Sequence, residues 1–208
     1  IEKHQPTIVY LAYPNNPTAN LWDDAVIEKI VAAAPGLVIM DEAYQPFSSK
    51  SYVDRIQRHS HVLLMRTMSK FGLAGVRIGY MIGPKALVAE IDKVRPPYNI
   101  SVLNSECALY ALGHQEVFAA QAQDIRSQRV AVQAVLAAIP GVKAWPSDAN
   151  MILVRVPDAQ KAFEGMKSRG VLVKNVSKMH PLLANCLRLT VGTAEENERM
   201  LAALQASL

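Results

Sequence analysis

Three polar residues of this sequence sit where chemistry is commonly done: Asn16, Asp41 and Lys70. Each comes shortly after an apolar run. Ile8 to Ala12 leads into the turn Pro14-Asn15-Asn16-Pro17-Thr18, Leu37 to Met40 runs into Asp41, and Val62 to Met65 comes just before Thr67-Met68-Ser69-Lys70. Open α/β sheets bind ligands beyond the carboxyl ends of their strands, so an amide, a carboxylate and an amine are expected at one place. Taken singly, each has an ordinary explanation: Asn-Pro is a common turn, Asp after a strand often caps a helix, and a lysine is usually solvated. What sets them apart is that three separate segments deliver them to the same kind of position.

The elements that must position them follow from the apolar pattern. The runs are nearly continuous in apolar residues, as strands covered on both faces are. Ile27, Ile30, Val31 and Ala34 recur at helical spacing between the first two runs, and Pro35-Gly36 stops that helix. A fourth strand is predicted from Ile78 to Ile82, ended by Gly83-Pro84. The fold class is therefore α/β, a partial large domain with a mostly parallel sheet, followed by a small α+β domain. After Pro96-Pro97 the pattern is helical from Ser101 to Leu112. It continues from Gln115 to Ile139 without Gly or Pro, long enough to link two domains. Beyond Pro140-Gly141 the chain predicts strands over Val142 to Trp145, Met151 to Val156, Val171 to Lys174 and Cys186 to Val191. Helices are predicted over Ala159 to Arg169 and Glu195 to Leu204, the second opened by a capping box of Thr193 and Glu196. The expected division is a large domain over 1–113, a linking helix over 114–139 and a small domain over 140–208.

Composition narrows the function classes. The 22 Lys and Arg against 18 Asp and Glu give a charge of +4, but the basic residues are scattered, which argues against nucleic acid as a partner. No apolar run approaches the roughly 20 residues of a membrane span. The start Ile1-Glu2-Lys3-His4 opens no signal-peptide apolar region, and Cys107 and Cys186 suggest no disulfide framework, so a cytoplasmic protein is expected. His59 and His61 flank a single residue, yet no carboxylate or cysteine stands in ligand register with them, and no metal is expected.

Asn16-Pro17-Thr18, Asp41-Glu42-Ala43-Tyr44, Thr67-Met68-Ser69-Lys70 and Arg77 with Gly79 behind it resemble, in order and spacing, the signature of fold-type I pyridoxal-phosphate (PLP) aminotransferases, which share the aspartate aminotransferase fold. The segments Arg66 to Tyr80, Arg95 to Ile100 and Leu187 to Asn197 are most similar to histidinol-phosphate aminotransferases within that family. The resemblance runs over essentially the whole chain. It implies pyridoxal 5'-phosphate as cofactor, with Lys70 as the lysine that holds it covalently and then shuttles a proton. It makes Asp41 the carboxylate that keeps the cofactor ring nitrogen protonated. Asn16 and Tyr44 become donors to its phenolic oxygen, and Thr67, Ser69 and Arg77 the phosphate ligands. Arg188 sits inside an apolar strand and needs either a buried carboxylate or an anionic ligand. The resemblance makes it, with Asn16, the binder of the substrate's anionic group.

The implied reaction moves an amino group between L-glutamate and imidazole acetol phosphate, giving 2-oxoglutarate and L-histidinol phosphate in histidine biosynthesis, in a homodimer. Alternatives are a related PLP enzyme, such as one that decarboxylates a phosphorylated threonine, another amino-acid aminotransferase, or an inert truncated domain. Ala19 stands where the family often has Gly, a position that favours positive φ, and it is expected to be tolerated. The family pattern also includes an upstream portion that clamps the phosphate and stacks on the cofactor. The 208-residue chain by itself is therefore expected to bind PLP weakly and to be inactive.

Overall fold

The computed structural model describes residues 1–208. The chain divides into two units, one formed by Ile1–Pro14 and Leu21–Ala120, the other by Asn15–Asn20 and Gln121–Leu208.

In the first unit β1 (Ile8–Ala12), β2 (Leu37–Asp41), β3 (Val62–Thr67) and β4 (Gly79–Ile82) form one sheet in that order. The pairs β1–β2 and β2–β3 are parallel, and β4 runs antiparallel on β3. The sheet is mostly parallel, as the sequence predicts. The crossover from β1 to β2 is α1 (Asp24–Ala33), whose Asp23 cap accepts a hydrogen bond from the Val26 amide. Ile27 and Val31, one helical turn apart, are fully buried against Val38 and Met40 of β2 and Val62 and Leu64 of β3. Burial at about 1.5 to 3 kcal/mol per such side chain outweighs the few tenths that β-branched residues lose in helix propensity. At Gly36 the backbone just before β1 comes so close that a Cβ would lie 2.1 Å from the Thr7 carbonyl oxygen, so only glycine lets β2 begin there.

β3 runs two residues past the predicted end at Met65. The antiparallel β4 causes this, pairing Arg66 with Tyr80 and Thr67 with Gly79 after β2 has stopped. The outer face of β1 is open, with Ile8 and Tyr10 more than half exposed, so this strand is covered on one face rather than the predicted two. Helix α2 (Lys85–Asp92) follows Pro84, and α3 (Val102–Leu112) is capped by Ser101. Helix α4 (Gln115–Ala137) contributes its residues through Ala120 to this unit and the remainder to the other.

The second unit is built on an antiparallel sheet of β5 (Lys143–Ala144), β6 (Met151–Arg155), β7 (Lys174–Asn175) and β8 (Cys186–Thr190), in the order β5-β6-β8-β7. Helices α5 (Ala159–Ser168) and α6 (Ala194–Gln205) bury Ala162, Met166, Met200 and Leu204 with Val132 and Leu136 of α4 and Ile152, Leu187 and Leu189 of the sheet. The capping box at Thr193 and Glu196 forms as predicted. The strand expected over Val171 to Lys174 pairs only at Lys174 and Asn175, opposite Arg188 and Leu187. Val171 and Val173 still pack on the core while Leu172 points out, which gives a strand's alternation without its ladder. No helix is long and apolar enough to cross a membrane.

A polar group closes one edge of the first core. Asp24 accepts from Arg55 at 2.8 Å, Lys50 at 3.1 Å and Tyr13 at 3.2 Å. The hydrogen bonds from Arg55 and then Lys50 hold the Asp24 carboxyl down at about 2, against burial, which opposes its charge. A carboxyl depressed in the folded state contributes stability that is present above its unfolded value, 3.8, and is lost as pH falls through about 2. Asp24→Asn should therefore melt below wild type at about pH 6, with the gap closing as both are taken down through the window from 3.8 to about 2. Thermal melts across that range check this, and a gap independent of pH would contradict it.

Candidate active site

Strand alternation sorts the residues at the sheet's carboxyl end onto two faces. Val38 and Met40 of β2 point toward α1, so Asp41 points to the opposite face and Glu42 back toward the α1 side. On β3, Leu64 shares the α1 side with Arg66, and Thr67 shares the opposite face with Asp41. Successive residues of one strand thus serve different faces.

Asp41 is half-buried and held at both oxygens. Oδ1 accepts from the Ala43 amide at 2.9 Å and Oδ2 from the Tyr10 hydroxyl at 2.5 Å. Tyr10 lies on β1 two residues before Ala12, the register partner of Asp41, so its side chain shares Asp41's face. Although Tyr10 is 53 % exposed, burial at its hydroxyl and then the hydrogen bond and charge of Asp41 push its pKa up to about 12. Tyr10 therefore stays a donor to Asp41 at neutral pH. Tyr44 follows two residues after Glu42 and opens the 3-10 turn Gln45–Phe47.

Thr67 caps the 3-10 turn Met68–Lys70, accepting from the Ser69 amide at 3.1 Å and donating to the Ile78 carbonyl at 3.3 Å. Lys70 ends that turn with Nζ 5.4 Å from the centroid of the Tyr44 ring, within cation–π range. Arg77 has a left-handed backbone, φ 53, unusual for a residue with a side chain. Its guanidinium meets the Ser69 hydroxyl at 3.3 Å and the Ala74 carbonyl at 3.4 Å, and no carboxylate neutralises it. Asp41, Tyr44, Thr67, Ser69, Lys70 and Arg77 are thus carried by one unit, from three connected segments of its sheet.

Asn16 and Arg188 are carried by the second unit. The turn around Asn16 is closed by Asn15 N to the Asn20 carbonyl at 2.9 Å and Ala19 N to the Asn15 carbonyl at 2.7 Å, with cis peptide bonds at Tyr13-Pro14 and Asn16-Pro17. Ala19 does adopt positive φ, 60, at a cost of about 1 to 2 kcal/mol that its fully buried methyl and the Asp148 N–H to Ala19 carbonyl bond, 2.7 Å, help offset. Arg188 Nη1 donates to Asn16 Oδ1 at 2.7 Å, while its Nε is buried without a partner. Of the two partners the sequence left open for Arg188, the buried carboxylate is not there. An unsatisfied N–H on a cation invites an anion.

Three residues beside the site went unassigned in the sequence: Glu42, Arg66 and Tyr10. Glu42, fully buried, accepts from Arg66 Nη2 at 2.8 Å and Nε at 3.0 Å, from Ser51 Oγ at 3.0 Å and from the Tyr52 amide at 2.5 Å. Burial opposes charge on Arg66 more than any single partner favours it, but the hydrogen bond and charge of Glu42, with Tyr80, together outweigh it and raise the guanidinium further. The sequence shows opposite charges at the ends of two apolar runs, which must pair if the runs are adjacent and both charges are buried, but the adjacency and register come only from the structure. Tyr10 gave no such signal, since an aromatic in a strand is unremarkable. His59 stands edge-on to His61 at 5.9 Å and faces Glu28 at 3.5 Å, and no group of three or more His, Cys, Asp or Glu is arranged to hold a metal ion.

Residues 1–204 match the family model described as aminotransferase class I and II. A histidinol-phosphate aminotransferase from Polaromonas naphthalenivorans (strain CJ2) is 74 % identical over 211 residues, covering 100 % of this chain and 58 % of the relative. The chain thus spans less than two thirds of the length of the curated relatives it matches. Among solved structures, the histidinol-phosphate aminotransferase from Clostridium acetobutylicum superposes with a TM-score of 0.88 at 23 % identity, over 96 % of this chain and 63 % of that one, a likeness of fold alone. The enzyme of the same name from Sinorhizobium meliloti, in complex with pyridoxal-5'-phosphate, gives 0.82 at 26 % identity, over 98 % of this chain and 58 % of that one. With its strand-end lysine, carboxylate and arginine in the order and spacing that mark the family, and a match over nearly its entire length, this chain belongs to the class I and II aminotransferases.

Proposed function

We propose that the native protein is a PLP-dependent aminotransferase that exchanges an amino group between L-glutamate and imidazole acetol phosphate, giving 2-oxoglutarate and L-histidinol phosphate. The observation that carries this is the common origin of Lys70, Asp41 and the Thr67, Ser69 and Arg77 group at the strand ends of one sheet, in a chain 74 % identical to a relative bearing that activity's name.

The residues fit the cofactor chemically. A phosphorylated aromatic aldehyde needs an amine for its carbonyl, a negative charge for its ring nitrogen, and cationic and hydroxyl donors for its phosphate. Lys70 Nζ is the amine and Asp41 the charge. Thr67, Ser69 and Arg77 are the donors, and Arg77 has no carboxylate to compete with a phosphate. Pyridoxal phosphate, when bound, supplies an electron sink for the charge left as a proton leaves the carbon bearing the amino group.

The chain's own residues do the rest. Lys70 anchors the cofactor through Nζ and, when released, takes up and returns the substrate proton at that same atom. Asp41, fixed by the Ala43 amide and the Tyr10 hydroxyl, offers its remaining lone pairs to a protonated ring nitrogen. The ring of Tyr44 confines Lys70 Nζ from one side. In the second unit Arg188, oriented by Asn16, offers a guanidinium fork that suits either the carboxylate of one substrate or the phosphate of the other.

The proposed assembly is a homodimer, in keeping with the apolar surface of α3, where Leu103 is 77 % and Tyr110 71 % exposed. Light scattering of the native protein at the mass of a single chain would count against it.

Borohydride reduction of the PLP-loaded native protein should leave the modified peptide at Lys70, and label on another lysine removes Lys70 from its role. Asp41→Asn should retain PLP yet slow amino transfer by roughly 10²- to 10⁴-fold, because an amide cannot hold the ring nitrogen protonated. Near-normal steady-state turnover with PLP bound would contradict this.

A further inference from the structure

Past the end of the β2–β3 ladder, Asp41 and Lys70 are no longer linked by backbone hydrogen bonds. The last such bond is Glu42 N to the Met65 carbonyl at 2.8 Å. From there the two segments are tied elsewhere. The chain after Asp41 closes its own turn through Phe47 N to the Tyr44 carbonyl at 3.1 Å, and the chain before Lys70 is held by Met68 N to the Ile78 carbonyl at 3.0 Å. Besides the Lys70–Tyr44 contact, a side-chain cluster on the opposite face of the sheet joins them. Glu42 takes both Arg66 bonds on Oε2 and the Tyr52 amide on Oε1, and Ser51 Oγ, which donates to Glu42, also accepts from Arg66 Nη2 at 2.9 Å.

The chain positions make this pairing more than a local contact. Glu42 is the next residue after Asp41, and Arg66 immediately precedes the Thr67-Met68-Ser69-Lys70 segment. Because side chains alternate, Asp41 sits beside Glu42 and Thr67 beside Arg66, each pair pointing opposite ways, and Thr67 caps the short turn that ends at Lys70, so fixing the Glu42–Arg66 distance fixes the separation of the two backbones that lead to Asp41 and Lys70. Stability alone is a poor reason for such a pair. Desolvating two charges costs about what their attraction returns, and neutral replacements are often as stable.

We infer that Glu42 and Arg66 are positioning residues that set the spacing of Asp41 from Lys70. The inference rests on the roles proposed above for those two residues. It concerns geometry for the cofactor and not contact with it.

The test uses the native full-length protein with PLP as probe. PLP affinity is read by absorbance titration, the fraction of Lys70 labelled is read after borohydride reduction, and the melting temperature of the cofactor-free form is read separately. Glu42→Gln keeps the shape and removes the charge. Glu42→Gln with Arg66→Gln leaves two amides and no unpaired buried charge. Both are expected to weaken PLP binding on the order of 10- to 100-fold and to lower Lys70 labelling at fixed PLP. The double variant should melt within about 5 °C of wild type without cofactor. Wild-type affinity in either folded variant overturns the inference, whatever its melting temperature. Failure of both variants to fold overturns it too, because the pair would then be needed for the fold itself. Wild-type protein that binds PLP without label on Lys70 overturns it together with the role of Lys70, and that outcome is recognised before any substitution is made.

Discussion

The register of β2 against β3 is the constraint on which the rest of the first unit depends. Parallel pairing sets Met40 beside Leu64 and Asp41 beside Met65, and the alternation of side chains then decides everything at the carboxyl end. In this register Asp41 and Thr67 leave the α1 face while Glu42 and Arg66 meet on it. A slip of one residue in β2 would send Asp41 into the apolar layer under α1 and expose Glu42, and a slip in β3 would do the same to Thr67 and Arg66. The register is held by the core itself: Val38, Met40, Val62 and Leu64 are buried against Ile27 and Val31, and none of these can be turned outward without losing its burial.

Much of this was legible in the sequence, for identifiable reasons. Apolar runs bounded by Pro, Gly and polar residues gave β1 through β4 and α1, because burial on both faces or on one stripe leaves a pattern. The chemistry-bearing residues were legible because strand ends are where polar residues stop being penalised, and because the lysine segment resembles a known signature. Less legible were features that depend on partners distant in sequence. The alternation of Val171, Leu172 and Val173 reports which side is buried, not whether a neighbouring strand is within hydrogen-bonding reach, and β7 forms only at Lys174 and Asn175. Helix α2 is only two turns long and its stripe of Leu87, Val88 and Ile91 is no more than half-buried, so it leaves a weak pattern. The extension of β3 to Thr67 is owed to β4, which was predicted as a strand but without an orientation.

The same distinction separates the residues to which the sequence pointed from those to which it did not. Asp41, Lys70 and Arg77 were pointed to by strand-end position and by the resemblance of their segments to a family signature. Glu42 and Arg66 stood in plain view beside them, but pairing across 24 positions is visible only once the register is known. Tyr10 required both the parallel pairing of β1 with β2 and the direction of its side chain. Arg188 was the converse case. Its position inside an apolar strand demanded a partner, and the partner found is the Asn16 amide, which leaves the charge and one buried N–H unanswered. An arginine so held is oriented but not neutralised, which is the state that suits recognition of an anion.

The most direct measurement is a crystal structure of the native protein grown with pyridoxal phosphate. Continuous density from Lys70 Nζ to the cofactor is expected, with an Asp41 oxygen at hydrogen-bonding distance from the ring nitrogen and the Arg77 guanidinium on the phosphate. Cofactor density elsewhere, with Lys70 unmodified and Asp41 engaged only by Tyr10 and Ala43, would contradict the assignment of the strand-end residues to cofactor chemistry.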